Sequence, residues 1–266
     1  MPTRKLPNPD DFRGQKFYIG IDVHKKSWAV TVRSLNFVVA HFTQPPSPAA
    51  LLSQLQRKFP GGEHFSTYEA GFGGTSAHEE LCKLGIKNII VHPGDIPRTD
   101  KEKKNKTDVH DSRSLAFHLE KGNLHSIYML SRQQQEFRAL FRLRESKARD
   151  VARAINRLKA CQLYFGIDYS STFEGYISAR VISWLRKLRM TDEAGDFTLK
   201  KYIDDLVHQR NELGKITKAL RSQAKKEYSL PYKCLLSVPG IGFTTAIGLL
   251  AEIGDFNRFK DPAEYC

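Results

Sequence analysis

Three short β-forming runs follow one another between Phe17 and Phe42, with no room for a helix between them. Residues 17–22 read as a buried strand. Ser27–Arg33 alternates apolar and polar positions, and Phe37–Phe42 reads FVVAHF. The connections, Val23–Lys26 and Ser34–Asn36, are too short for a crossover, so the three strands must form an antiparallel meander. The period then changes. Ser47 is placed to cap a helix and Pro48 to occupy its first turn, and Leu51, Leu52, Leu55 and Phe59 follow at helical spacing. A strand over 64–68, a glycine-rich turn (AGFGG), a helix over 75–84 and a strand over Asn88–His92 come next.

The order β-β-β-α-β-α-β predicts a mixed sheet with helices on its faces, which matches the ribonuclease H-like fold. A helix from Val109 to about Lys121 closes this first domain, expected over 17–128 behind a flexible tail of residues 1–16. The chain then changes character. Phe137, Leu140, Phe141, Ala148, Val151, Ile155 and Leu158 form an apolar stripe of helical period within 131–165. A second such pattern runs from about Leu199 to Tyr228. The segment between them, around Trp184, reads as a short helix with loops. Together they predict a helical hairpin region over 129–230. From 231 the sequence LLSVPGIGF, followed by TTAIGLLAEIGDF, reads as two helices joined by a Pro-Gly-x-Gly turn, the helix-hairpin-helix pattern.

Charge narrows the partner. The 266 residues carry 42 Lys and Arg against 29 Asp and Glu, a net +13, which suits a phosphate-bearing ligand, most simply DNA or RNA. The cations are clustered. Arg98, Lys101, Lys103, Lys104 and Lys106 sit in one run, read either as a solvated loop or as a strand-guiding one. The 131–160 stripe carries nine more, among them Arg142, Arg149 and Arg153, on its outer face. Gly240 and Gly242 would let a backbone phosphate approach the start of the following helix. The four cysteines are scattered without zinc spacing, which argues for a reducing cytoplasm. No apolar leader or membrane-spanning run is present in the sequence.

Within this basic chain four acids stand apart. Asp22 ends the first strand and Glu69 the fourth, while Asp108 and Asp111 lie three apart at a helix start, where Thr107 is a candidate cap. Each alone is an ordinary turn or helix-start residue. Jointly they suit hard divalent ions, which take oxygen ligands and promote phosphodiester chemistry in pairs. His24 is read as a turn residue in preference to a donor to Asp22. Tyr68 and Phe72 are read as packing residues.

The segments Tyr18–Lys26 (YIGIDVHKK), Tyr68–Gly71 (YEAG), Lys106–Ser112 (KTDVHDS) and SVPGIGFTTAIGLLAEIGDFNRF together resemble the DEDD-type insertion-sequence transposases, relatives of the Piv invertase with a RuvC-like N-terminal domain. The resemblance runs from about residue 17 to 266. It implies that Asp22, Glu69, Asp108 and Asp111 are catalytic and bind Mg²⁺, two ions with Mn²⁺ as a substitute. It implies a coiled-coil region and a C-terminal transposase domain from near residue 230. It also implies donor and target DNA, a structured guide RNA, assembly as a homodimer or tetramer, and a bacterial or archaeal cytoplasm at the nucleoid. The family adds a serine nucleophile after the AEIGDF segment. No serine follows Ser237, which precedes the hairpin and does not match, so no catalytic serine is assigned. The expectation is a C-terminally truncated chain that keeps metal and nucleic-acid binding without completing recombination. Three other readings remain: a junction resolvase or nuclease using the acids alone, an actin-like or sugar-kinase ATPase, and a noncatalytic nucleic-acid-binding module.

Overall fold

A computed structural model describes residues 12–71, 74–97, 108–168 and 176–261, side chains in the third stretch from residue 110 onward. The chain divides into two compact units, Met1–Met129 and Leu130–Cys266.

The first unit is built on a five-stranded mixed sheet. The strands are β1 (Lys16–Val23), β2 (Trp28–Ser34), β3 (Phe37–Gln44), β4 (Glu63–Glu69) and β5 (Lys87–Val91), in spatial order β3-β2-β1-β4-β5. β1, β2 and β3 pair antiparallel as the short connections require, and β4 and β5 join β1 in parallel. Leu35 and Asn36 both have positive φ, 51° and 69°, the conformation of a two-residue hairpin turn whose twist matches its strands. Two helices, α1 (Pro48–Lys58) and α2 (Ser76–Lys83), supply the crossovers to the parallel strands. Ser47 caps α1 through its side chain, with Pro48 in the first turn, as its sequence predicts.

Strand alternation sends side chains to two faces. Phe17, Ile19 and Ile21 of β1, with Trp28, Val30 and Val32 of β2, form one core with Leu51 and Leu55 of α1 and Ala77 and Leu81 of α2. Phe12 packs edge-on against Phe17 and Phe59, so the folded unit begins before the expected start at residue 17. The other face is covered by α3 (Asp108–Glu120), where Leu115 meets Val91, Ile96 and Leu124.

His64, paired with Phe17 across β1 and β4, has a buried Nε2 with no hydrogen-bond partner among the described residues. Burial pushes its pKa below the ordinary 6.5, outweighing the opposing hydrogen bond to the Phe59 backbone. A depressed pKa means the unfolded chain binds the proton more readily, so the stabilisation holds above pH 6.5 and is lost as pH falls through the folded value. Thermal melts of the N-terminal unit are therefore expected to weaken below about pH 6.5, and His64→Phe to remove that slope.

The described residues of the second unit form only helices and their connections, with no second ribonuclease H-like half among them. The actin-like reading requires such a half. Two long helices, α4 (Arg132–Tyr164) and α6 (Glu193–Glu227), run antiparallel, with α5 (Ala179–Leu185) packed at one end. Ser131 and Gln134 form a reciprocal capping box at the start of α4. At the other end, Phe137 of α4 and Leu220 and Ala224 of α6 share a core with α8 (Phe243–Ile253). A short helix, α7 (Ser229–Ser237), and the turn Val238–Gly242 precede α8. Among the described residues no helix is long and apolar enough to cross a membrane.

Candidate functional site

Sheet register brings the two strand acids together. Gly20 on β1 pairs with Thr67 on β4 in parallel, and Asp22 and Glu69 each lie two positions further on. They therefore share a level and a face, because parallel partners point the same way. Asp22 is also opposite Ala29 of β2, and Glu69 is opposite Val91 of β5. The Asp22 side chain is 19% exposed, and His24 Nε2 lies 3.0 Å from its Oδ2. His24 follows the strand as a turn residue should, but its ring also engages the carboxylate. The expectation that it serves the turn alone is corrected.

The direction of α3 decides where the other two acids fall. Near its C-terminal end Glu120 accepts from Arg33 Nε at 2.7 Å and from the Asn36 backbone at 2.7 Å. One turn past its start, Ser112 Oγ lies 2.9 Å from Thr31 Oγ1, a fully buried pair, and His41 Nδ1 lies 3.0 Å from the same Thr31 oxygen. Arg33 is level with Tyr18 and Thr31 with Gly20. The helix therefore runs antiparallel to β1, and its N-terminal end heads toward the carboxyl ends of β1 and β4. Asp108 is four residues before Ser112, about 6 Å of helix rise. Asp22 is two residues beyond Gly20, about 7 Å of strand. The start of α3 thus reaches the level of Asp22 and Glu69.

Close approach makes this seat possible. A Cβ at Gly20 would overlap the Ser112 carbonyl oxygen and stand 2.5 Å from the Ala116 nitrogen. Only glycine lets α3 lie directly on the strand. Gly20, Thr31 and Ser112 were not singled out from the sequence. A glycine inside an apolar strand run is nonetheless a known mark of close backbone approach, and it was the available signal.

Tyr68 points to the opposite face and ties the end of β4 to the start of α2. Its hydroxyl donates to Gly74 O at 3.0 Å and accepts from the His78 backbone at 3.1 Å, and burial pushes its pKa up to about 12. It is a core residue, 1% exposed. Phe72 lies outside the described residues. So do Arg98, Lys101, Lys103, Lys104, Lys106 and Thr107, and the Asp108 side chain. Among the described residues no three His, Cys, Asp or Glu side chains form a metal-ready group.

In the helical unit the three arginines read as phosphate contacts have different surroundings. Arg142 donates from Nε and Nη2 to the two carboxylate oxygens of Glu252 on α8, at 2.8 and 2.7 Å, tying α4 to α8. Arg153 pairs with Asp150 at 3.4 Å on its own helix, and Arg149 is exposed. The Arg142 hydrogen bond holds the Glu252 carboxyl below its ordinary range. Both side chains are more than a third exposed, so the pair is worth about 1 kcal/mol or less. Arg142→Gln is expected to lower the melting temperature of this unit by a few degrees while leaving the salt dependence of nucleic-acid binding unchanged. A salt slope reduced by about one would instead mark a phosphate contact. Gly240 has φ 87°, and Gly242 opens α8 without a side-chain cap. Ser237 donates its hydroxyl to Cys234 O within the end of α7.

Comparison with known proteins places these elements. The profile of a transposase family, the DEDD transposases of IS110 elements, matches residues 19–164, more than half of the chain. The chain belongs to the IS110 DEDD transposase family. A second profile, of the IS116/IS110/IS902 transposase family, matches residues 232–266. Among curated relatives, the transposase for insertion sequence element IS1533 of Leptospira borgpetersenii is 26% identical over 255 residues, 93% of this chain and 72% of that protein. The putative transposase y4qE of Sinorhizobium fredii is 24% identical, covering 93% of this chain and 60% of its own length. The transposase for IS1111A of Coxiella burnetii is 20% identical over 72% of this chain and 51% of that protein. The DEDD profile spans the sheet, α3 and α4, and thus all four acids.

Proposed function

We propose that the chain acts on DNA in insertion-sequence recombination, its own part being strand cleavage at a divalent-metal centre formed by Asp22, Glu69, Asp108 and Asp111. The observation that carries this reading is the shared level of Asp22 and Glu69, toward which α3 brings its first turn. The donor set fits the ion: carboxylates from two strands and a helix start are hard oxygen ligands of the kind Mg²⁺ takes, with Mn²⁺ as a substitute. Two such ions, when bound, would polarise the scissile phosphate and activate the attacking oxygen. The protein's own part is positional. His24 bears on Asp22 and steadies its carboxylate. Tyr68 ties the end of β4, next to Glu69, to the start of α2. Thr31 and Ser112 fix α3 over Gly20.

The same proposal includes a structured guide RNA and a dimer or tetramer. In it the basic run 98–106 and exposed cations such as Arg149 follow the nucleic-acid backbone, Arg153 adds charge beside Asp150, and the turn at Gly240–Gly242 receives a phosphate as a helix-hairpin-helix would. Family membership and the net charge of +13 support these elements. The test is strand cleavage of element-end DNA by the full chain across a Mg²⁺ titration, with RNA copurified from a host carrying the element present or digested away. Metal-dependent nicking that needs the RNA is the expected result. Cleavage indifferent to metal would sink the acidic centre, and cleavage indifferent to RNA would sink the guide.

A further inference from the structure

We propose that the helical unit carries a pocket for a single unpaired nucleotide, where α5 and its following turn meet the first turns of α6; this rests on the nucleic-acid reading above. A cavity of about 470 Å³ opens there. That volume is in the range of sites that enclose a small molecule. Its floor is apolar, made by the buried side chains of Leu185, Leu199 and Ile203. Its rim carries the exposed cations Arg186, Arg189 and Lys200. At the mouth stands Phe197, 63% exposed, with the Lys201 ammonium 5.2 Å from its ring centroid.

A lone exposed phenylalanine is ordinary on a protein surface. This one borders a cavity and is flanked by cations, which is the composition of a stacking platform beside an electrostatic groove. The charges select the ligand further. Arg186 is committed to Asp204 at 2.8 Å, leaving Arg189 and Lys200 as the cations best placed for an incoming phosphate. Asp196 also lines the cavity and accepts from the Met190 backbone at 2.7 Å. Its carboxylate opposes a free anion in the pocket but can accept from the N–H edge of a base. The ligand that suits all of these is a flat heterocycle joined to a phosphodiester at the rim. In a duplex the base faces are stacked and out of reach, so the partner is a single-stranded stretch.

The full chain would be titrated into single-stranded oligonucleotides carrying 2-aminopurine, in deoxyribose and ribose forms. The expected result is quenching of the probe on binding. Phe197→Leu should reduce quenching and weaken binding about tenfold. Phe197→Trp should restore both, and Lys200→Gln should lower the salt slope by about one. Phe197 is largely exposed, so equal melting temperatures of parent and variant would show that the fold is kept. The sugar form that binds more tightly identifies DNA or RNA as the source of the nucleotide. Parent-like quenching and affinity in Phe197→Leu would overturn the pocket while leaving nucleic-acid binding in place. Failure of the parent to bind either strand at low salt would overturn the pocket and the nucleic-acid reading together.

Discussion

A Gly20→Ala chain is expected to lose about 3 kcal/mol or more of stability in its N-terminal unit, together with the metal-dependent cleavage proposed for it. The added Cβ would run into backbone, the Ser112 carbonyl and the Ala116 nitrogen, and into the Leu115 Cβ at 2.9 Å. No flexible side chain can swing aside. β1 cannot retreat, because it is paired on both edges, with β2 and with β4. The helix must lift instead, which opens the core where Leu115 meets Val91, Ile96 and Leu124 and pulls apart the buried Thr31–Ser112 pair. Overpacking commonly costs about 1–3 kcal/mol, and a clash between two backbones belongs at or above the upper end. In a unit of this size that lowers the melting temperature by roughly 10 °C. Gly214→Ala is a matched control, since beyond its own helix backbone the new Cβ meets no atom of the described residues within 4 Å. That change should be neutral or stabilising by up to about 1 kcal/mol. A Gly20→Ala protein that melts with the parent and cleaves normally would disprove the account of how α3 is seated.

Much of this arrangement is legible in the sequence because period and turn chemistry are local signals. The short links at Val23–Lys26 and Ser34–Asn36 force the meander, and Ser47-Pro48 marks the start of α1. Boundaries fail where a local signal is interrupted. The apolar pattern predicts the second long helix from about Leu199, but it starts at Glu193, capped by Asp192, whose side chain accepts from the Ala194 backbone. Gly195 and Asp196 break the apolar pattern there, so the cap was hidden in what reads as a loop. Long-range pairing is the other blind spot. Arg142 reads as a phosphate contact on charge count alone, yet its partner Glu252 lies 110 positions away. The Thr31–Ser112 contact spans 81 positions, and neither residue type draws attention by itself. The strand acids were identifiable as strand-end residues. That Asp22 and Glu69 stand level depends on the parallel register of β1 and β4, which a single sequence does not encode locally.

Asp22→Asn is expected to reduce metal-dependent strand cleavage by at least about 100-fold while leaving the fold intact. The replacement keeps shape and volume, and the amide oxygen can still accept from His24 across the 3.0 Å now spanned to Oδ2. What it removes is the negative charge that a hard cation requires. Glu69→Gln should behave alike, because its position one strand across presents the same ligand type at the same level. If the acids act as one centre, the double variant should be little worse than either single one, since removing one ligand already disables the ion it holds. Asp95→Asn supplies the control: this acid is exposed in the short 3₁₀ turn after β5, outside the proposed ligand set, and should cleave like the parent. The measurement is initial nicking rate against Mg²⁺ concentration, with a thermal melt of each variant beside it. Loss of activity with an unchanged melt places the defect in the chemistry. An Asp22→Asn chain within threefold of the parent at every Mg²⁺ concentration would remove Asp22 from the centre, and the register argument for Glu69 would fall with it.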